Sequence, residues 1–418
     1  MKIRELRKHY VKFLIAFFVI GITAGLIGSV SLRLTSGDFD VYYAASRHYL
    51  AKAPVYIFHS GIEEFKYSPL FALFFSPLAM LNKISALYIW SILNILSFYF
   101  MFYLFYRMKL IAFNRMRDFW IIICLLALTG RYIFANIKIG QVNFLLCLLM
   151  VLAMYFEIKK KDFWSALFLS LSVMIKFFPL LFLAYFVLRR RFKIAGYTVL
   201  LTAVLLLLPG LYSGIGRNFQ YLREWLDLLK VTPAHMLYSS KNYSLLSFFS
   251  WNLIARYEGA HILDLFVITK KITPEVYRIW AFTCFSLFSL YFVDVLFKKE
   301  RELKKIYLDY AGLFACMLLF NPLSYLNALV FLIVPYFFIL RALFYAELNK
   351  RWAGLVSSLI LLCFTFTMVY NKAFFNNVND FNKFLEYKFP MWTIIFVYLT
   401  LILLKMPAAA HRQARSGN

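Results

Sequence analysis

Residues 67–81 have the sequence Y67-S-P-L-F-A-L-F-F-S-P-L-A-M-L81, an apolar stretch that contains two prolines. Only seven residues separate Pro69 from Pro77. As a helix, its apolar part of about twelve residues would rise about 18 Å. The hydrocarbon core of a bilayer is about 30 Å thick, so this stretch is too short to cross it. We therefore expect a short helix that lies on a membrane face or dips into it.

The composition of the chain is that of a polytopic helical membrane protein. Of its 418 residues, 63% are hydrophobic and 20% are aromatic, which is more apolar than a soluble domain requires. No linker rich in Gly, Ser or Pro interrupts the chain, so we expect one integral domain over residues 1–418. The net charge of +26 comes from short basic clusters between apolar runs. That arrangement favours a membrane topology signal over nucleic-acid binding.

The basic clusters predict the orientation of the chain. Residues 1–12 are rich in Lys and Arg, which places the N-terminus in the cytoplasm and the first span at about 11–31. If residues 67–81 dip into the outer face, the basic loop 107–117 and the tail 406–418 are also cytoplasmic. We expect an all-α protein of the inner or plasma membrane, with about eleven to thirteen transmembrane helices and extracytoplasmic juxtamembrane helices.

A second interruption falls in the apolar run 162–188, which contains Lys176 and Pro179. Each half has about twelve residues, so we expect a short bent hairpin with Lys176 near the outer face. The predicted outer connections are then 32–84, 131–142, 213–275 and 371–388. We expect the functional residues there, because connecting segments commonly carry binding and catalytic groups.

Charged and amide side chains gather in these outer segments. In S36-G-D-F-D-V-Y-Y-A-A-S-R47, Asp38 and Asp40 begin an expected amphipathic interfacial helix. Further polar residues lie at predicted outer helix ends: Arg131, Lys138, Gln141, Asn143, Lys176, Asn242, Ser244, Asn321, Ser324 and Asn327. Ionisable residues at membrane depth commonly mark a pathway or site. Helix capping by Asp38 and snorkelling by Lys176 remain alternatives.

This combination of residues favours one kind of chemistry. The chain has no G-x-x-x-x-G-K-[ST] loop, no H-E-x-x-H motif and no Cys/His cluster, so we expect neither a nucleotide donor nor a metal or other cofactor. A lipid-phosphate donor fits, because its tail would lie in the bilayer while cations hold its phosphate. A carboxylate could then remove a proton from an acceptor hydroxyl.

Six short segments occur in the order G37-D-F-D-V-Y-Y43, F65-K-Y-S-P-L-F71, G140-Q-V-N143, I175-K-F-F-P179, K241-N-Y-S-L245 and N321-P-L-S-Y325. In these segments the chain resembles glycosyltransferase family 87. Members of that family have the GT-C fold and are polyprenyl-phosphate-mannose-dependent α-mannosyltransferases, or relatives with an unknown donor. The resemblance implies an inverting transfer outside the cytoplasm, from a β-linked lipid-phosphate sugar to an α-glycoside.

The resemblance implies a role for Asp38, which falls at the family's essential aspartate and is expected to be the general base. Asp40 falls at a position that the family leaves variable, and we expect it to be a second catalytic carboxylate that positions Asp38 or the acceptor. Lys176, with Arg131 or Lys138, is expected to bind the donor phosphate. Contacts to sugar or acceptor are expected from Tyr42, Tyr67, Gln141, Asn143, Asn242, Ser244, Asn321, Ser324 and Asn327.

Two departures from the family pattern bear on the sugar. Many members have S-W-x-H-H where this chain has S324-Y-L-N-A328, so Asn327 would have to supply the hydrogen bond of the missing histidine. Many members have N-Q-S where this chain has N242-Y-S244. Mannose is the expected sugar, and these changes leave its identity open.

We therefore expect a membrane hexosyltransferase that modifies a hydroxyl of a lipid or glycan acceptor in a cell-envelope glycan. Two alternatives stay open. A lipid-linked oligosaccharide ligase or polymerase would use a diphosphate-linked donor. A secondary transporter or lipid flippase would also suit broken helices and buried cations. Transporters commonly have two similar halves, however, and no counterpart of Asp38–Tyr43 occurs in the second half of this chain.

Overall fold

A computed structural model describes residues 37–56, 64–112, 115–230, 237, 239–250, 265–297, 302–369 and 387–406, most of which are helical. The expected first span at about 11–31 lies outside the described residues. So do residues 57–63, 251–264 and 371–386 of the predicted outer loops and residues 407–418 of the tail.

Apolar helices dominate the described part of the chain. Six of them are long and apolar enough to cross a membrane: Lys83–Arg107, Met116–Lys138, Phe192–Ser213, Pro274–Phe297, Leu326–Phe344 and Lys350–Val369. Shorter apolar helices are Pro69–Ala79, Asn143–Ile158, Asp162–Ile175, Phe178–Leu188 and Phe389–Lys405. The predicted all-α, multi-pass membrane architecture is confirmed, while the total of about eleven to thirteen spans stays a prediction.

The chain divides into two compact units. Residues 1–115 and 133–232 form the first unit, and residues 116–132 and 233–418 form the second. Helices of the first unit are α1 (Asp38–Leu50), α2 (Pro69–Ala79), α3 (Lys83–Arg107), the end of α4 (Met116–Lys138), α5 (Asn143–Ile158), α6 (Asp162–Ile175), α7 (Leu181–Leu188), α8 (Phe192–Leu207), α9 (Gly210–Ser213) and α10 (Ile215–Lys230). Those of the second are the start of α4, α11 (Leu245–Ser250), α12 (Leu265–Phe297), α13 (Leu303–Phe320), α14 (Ile333–Phe344), α15 (Lys350–Val369) and α16 (Phe389–Lys405).

The proline-bounded stretch forms helix α2, which has 11 residues. Pro69 is its first residue, a position that suits proline because the missing N–H would have no partner inside the helix. At 1.5 Å per residue, α2 is about 17 Å long, well short of a bilayer core. The prediction of a short helix is confirmed, and its depth in the membrane stays a prediction. Helix α1 packs along α2.

The predicted break at Lys176 is also confirmed. Helix α6 ends at Ile175, and Lys176 has an extended backbone with φ −141° and ψ 143°. A 3-10 turn at Phe178–Leu180 then leads into α7. Pro179 has no N–H to continue the α6 hydrogen-bond ladder, which favours a break here. The Ser68 hydroxyl donates to the Met174 carbonyl, so the end of α6 is tied to the residue before α2.

Two glycines allow the start of α1 to lie against the turn that follows α4. A Cβ on Gly37 would lie 2.6 Å from the Ile139 oxygen, and a Cβ on Gly140 would lie 2.7 Å from the Phe39 Cβ. The Phe39 amide donates to the Ile139 carbonyl at 3.2 Å. Gly140 also has a φ of +68°, which residues with a Cβ rarely adopt. The backbones of the G37-D and G140-Q segments therefore touch, which brings Asp38 close to the turn.

The second unit has its core around α13, where residues 307–319 are all buried. The Tyr291 ring occupies the space beside Gly312, where an added Cβ would lie 2.2 Å from a ring carbon. The Lys405 ammonium lies 2.8 Å from an Asp294 carboxylate oxygen and 3.0 Å from one of Asp309. This ion cluster joins α12, α13 and the last residue of α16.

Gly140→Ala tests the contact between α1 and the turn. The new Cβ would clash with Phe39 and require a left-handed backbone, so we expect a destabilisation of about 2–4 kcal/mol. Thermal unfolding of the purified protein in detergent measures it. Gly196→Ala is the matched control, because nothing lies within 4 Å of a Cβ there. It should leave the unfolding temperature unchanged or raise it slightly, and equal unfolding temperatures for the two variants would contradict the contact.

Candidate active site

The first turn of α1 carries both acidic residues of the opening segment, Asp38 and Asp40. Carboxylates in this position interact favourably with the helix dipole. Gly37 precedes the helix as its N-cap, and Asp38 is the first residue of the helix. The capping alternative assigned Asp38 to the N-cap, a position that Gly37 occupies instead.

Gln141 is the hub of a polar cluster in the first unit. Its side-chain oxygen accepts hydrogen bonds from the Tyr42 hydroxyl at 3.1 Å, the Lys176 ammonium at 3.3 Å and the Val142 amide at 3.3 Å. The Gln141 backbone is fixed in turn, because its amide donates to the Asn136 carbonyl at 3.0 Å. Gln141 thus links the α1 segment, the turn after α4 and the break after α6.

Lys176 lies in that break and is partly buried. Its ammonium donates to the Asn143 side-chain oxygen at 2.7 Å, as well as to Gln141. It also lies 5.7 Å from the centre of the Tyr67 ring, within the range of a cation–π interaction. These acceptors are neutral oxygens, so the ammonium keeps a positive charge that an anionic ligand can meet.

Electrostatics place Asp38 in the same cluster. Burial lowers the pKa of Lys176 from 10.5 to about 8, and the negative charge of Asp38 opposes that shift. Burial also raises the pKa of Tyr42 well above its usual value, with further contributions from Tyr67 and Asp38. Tyr42 therefore stays neutral, and its hydroxyl lies 2.8 Å from that of Tyr67. A carboxylate, a cation and two phenols thus share one polar site.

Asp40 has a different environment. Its carboxylate lies 3.0 Å from the ammonium of Lys83, the first residue of α3. Lys83 is about half exposed, and the pair ties the start of α1 to the start of α3. Sequence reasoning missed Lys83, because no local pattern predicts a contact between residues 40 and 83.

In the second unit, the K241-N-Y-S and N321-P-L-S segments are joined by hydrogen bonds. The Asn242 side chain accepts from the Ser324 amide at 3.0 Å and donates to the Pro322 carbonyl at 2.9 Å. The Ser244 hydroxyl donates to the same carbonyl at 2.8 Å, and the Ser324 hydroxyl donates to the Leu318 carbonyl at 2.7 Å. These contacts give Asn242, Ser244 and Ser324 a clear role in holding two segments together, while their predicted contacts with sugar stay predictions.

The remaining predicted residues have varied surroundings. Asn321 forms a local turn in which its side chain donates to the Leu323 carbonyl and accepts from the Leu323 amide. Asn327 is partly buried in the 3-10 helix Leu326–Leu332. Arg131, in the second unit, donates to the Thr367 carbonyl at 3.2 Å. Lys138 is the exposed last residue of α4.

Lys388, at the start of α16, is a buried cation that sequence reasoning also missed. Its ammonium donates to the carbonyls of Ser239 and Asn242 and to the Ser247 hydroxyl. The signal available in the sequence was a lysine directly before F389-P, at the start of an apolar run. Within the described ranges, no group of three or more His, Cys, Asp or Glu side chains is placed to hold a metal ion.

Titration of Lys176 tests the geometry of the first-unit cluster without a substrate. Competitive labelling with a small amine reagent, read by mass spectrometry, should show half-maximal reactivity of Lys176 near pH 8. Asp38→Asn should lower this midpoint, because the lost negative charge no longer favours the ammonium. A midpoint near 10.5 in both proteins would show that Lys176 is solvated and that Asp38 is not near it.

A match to a known protein family includes most residues of the first-unit cluster. Over residues 65–322 the chain matches glycosyltransferase family 87. The matched range includes Tyr67, Gln141, Asn143 and Lys176, whereas Asp38 lies before it. No curated protein matches the chain. Because the match spans more than half of its residues, the chain belongs to glycosyltransferase family 87 and is a membrane glycosyltransferase.

Proposed function

We propose that this glycosyltransferase moves a hexose, with mannose as the first candidate, from a polyprenyl-phosphate carrier to a hydroxyl of a lipid or glycan acceptor outside the cytoplasm. The observation that carries the proposal is the first-unit cluster, in which Asp38 lies within electrostatic range of Lys176. A carboxylate and a cation held at one site are the two groups that this reaction requires.

Asp38 acts as the general base. It takes the proton of the acceptor hydroxyl as the hydroxyl oxygen attacks the anomeric carbon of the sugar. The bond between that carbon and the phosphate oxygen breaks, and the phosphate leaves on its polyprenyl chain. Attack from the face opposite the phosphate converts a β-linked sugar into an α-glycoside. The position of Asp38 in the first turn of α1, fixed by Gly37 and Gly140, supports this role.

Lys176 binds the phosphate of the donor. The leaving phosphate gains negative charge as the bond breaks, and a fixed cation stabilises that charge most where water is excluded. Asn143 and Gln141 orient the ammonium at 2.7 and 3.3 Å. Arg131 and Lys138 are the further candidates for this role, and Tyr42 and Tyr67 are candidates for contact with the sugar.

Asp38→Asn should lower the turnover by about 10²–10⁴-fold, the usual contribution of a general base. Asp40→Asn is the matched control and should have a smaller effect, because Asp40 is paired with Lys83. The assay uses purified protein in nanodiscs, synthetic β-linked prenyl-phosphate mannose and a membrane-lipid extract. Mass spectrometry then looks for a hexose-bearing product.

The outcomes of this assay separate the alternatives. If Asp38→Asn is active and Asp40→Asn is inactive, the general base is Asp40. If both variants are active, the acid–base scheme is wrong. A product with another lipid-phosphate sugar but not with mannose would assign the difference to Asn327 and Tyr243. A product formed only from a diphosphate-linked oligosaccharide would identify a ligase or polymerase. Solute uptake by proteoliposomes without any glycoside would identify a transporter.

The proposed role of Lys176 predicts a pH dependence. The Lys176 ammonium is charged below about pH 8 and neutral above it, so kcat/KM for the donor should fall as pH rises through 8. Lys176→Arg should abolish this fall, because a guanidinium stays charged throughout that range. Lys176→Met should have a low kcat/KM at every pH. The same fall in the wild type and in Lys176→Arg would assign the titration to another group.

A further inference from the structure

Lys388 contacts three residues of one stretch of the second unit. It is fully buried, and its ammonium lies 3.1 Å from the Ser239 oxygen, 2.8 Å from the Asn242 oxygen and 2.9 Å from the Ser247 hydroxyl. An ammonium has three N–H donors, so these contacts use all of them. One side chain thus fixes both ends and the middle of residues 239–247.

Two unfavourable features meet at Lys388. A buried ammonium has lost its water, which is costly unless hydrogen bonds replace it. The Lys388 backbone is also left-handed, with φ 49° and ψ 42°, a conformation that glycine adopts more easily. Strained or costly residues persist where the surrounding structure needs them, and they cluster at functional sites. The cost of burying Lys388 therefore suggests that the segment it contacts, residues 239–247, serves the function of the protein.

Residues 239–247 contain the K241-N-Y-S motif, and Asn242 connects that motif to N321-P-L-S. Lys388 holds the Asn242 carbonyl, while the Asn242 side chain holds the Ser324 amide and the Pro322 carbonyl. The Tyr243 amide also donates to the Ser324 carbonyl at 2.7 Å. Lys388 thus contacts the K241-N-Y-S segment directly and is linked to N321-P-L-S through Asn242.

We propose that Lys388 is a positioning residue for glycosyl transfer, which acts by fixing the Asn242 segment and through it the Ser324 segment. The inference rests on the proposed function, because it assumes that these segments contact the donor or the acceptor. Lys388 itself touches neither substrate, since its side chain is fully buried and its ammonium is engaged with the protein. Its effect on the reaction is therefore indirect and depends on Asn242.

The test compares Lys388→Met with Lys388→Arg. Methionine keeps the length of the side chain but removes the charge and all three donors, whereas arginine keeps both. We expect Lys388→Met to lower kcat/KM per folded molecule by about 10–100-fold, as misplaced substrate contacts do, and Lys388→Arg to recover most of it. Lys388→Met should also be non-additive with Asn242→Ala, because the two act on the same segment.

Hydrogen exchange read by mass spectrometry gives a second measurement that needs no substrate. Lys388→Met should speed exchange of the amides in residues 239–247. Lys350→Met is the matched control, because it removes an exposed lysine from the start of another helix of the same unit, α15. That control should leave exchange in residues 239–247 unchanged.

Each outcome decides the proposal. Unchanged exchange in residues 239–247 of Lys388→Met would show that the ammonium does not hold the segment. Faster exchange with an unchanged kcat/KM per folded molecule would show that the segment does not serve transfer, and either result overturns the inference. If the wild type transfers no sugar, the proposed function fails, and hydrogen exchange still decides whether Lys388 holds the segment.

Discussion

The close backbone contact between Gly37–Phe39 and Ile139–Gly140 is the constraint on which the first-unit site depends. Only residues without a Cβ permit it, since either added Cβ would come within 2.7 Å of an atom across the contact. The contact places Asp38, in the first turn of α1, next to the turn that carries Gln141. Trp90 reinforces the turn by donating its indole N–H to the Gly140 carbonyl at 2.7 Å. The two glycines of the family-like segments are thus explained by geometry.

Lys405 and Lys176 differ in the acceptors that surround their ammonium groups. Lys405 lies between two carboxylates, so its charge is neutralised within the protein and its role is to join helices. The ammonium of Lys176 donates instead to amide oxygens of Asn143 and Gln141. Neutral acceptors satisfy donors without cancelling the charge. The contrast explains why Lys176 suits a site for an anionic ligand and Lys405 suits a structural cluster.

Local features were predictable from the sequence, and long-range partners were not. Proline positions act on the chain next to them, so the short helix α2 and the break after α6 followed from Pro69, Pro77 and Pro179. The pairing of Asp40 with Lys83 and the contacts of Lys388 join residues far apart in the chain, which no spacing rule predicts. The polar motif residues Asn242 and Ser324 were predicted to contact substrate, which stays a prediction, and the Asn242 side chain accepts a hydrogen bond from the Ser324 amide that joins the two segments. The sequence was therefore enough to identify the polar residues of the candidate site but not their hydrogen-bond and ion-pair partners.

The negative charge of Asp38 acts on the Lys176 ammonium, and the proposed reaction would bring a second anion to the same site. In that proposal the base and the leaving phosphate lie on opposite faces of one sugar. At an effective dielectric constant near 20, two like unit charges about 8 Å apart repel by about 2 kcal/mol. A single cation within range of both would offset this repulsion. A partly buried ammonium such as that of Lys176 would do so better than an exposed cation, whose charge is screened by water and salt.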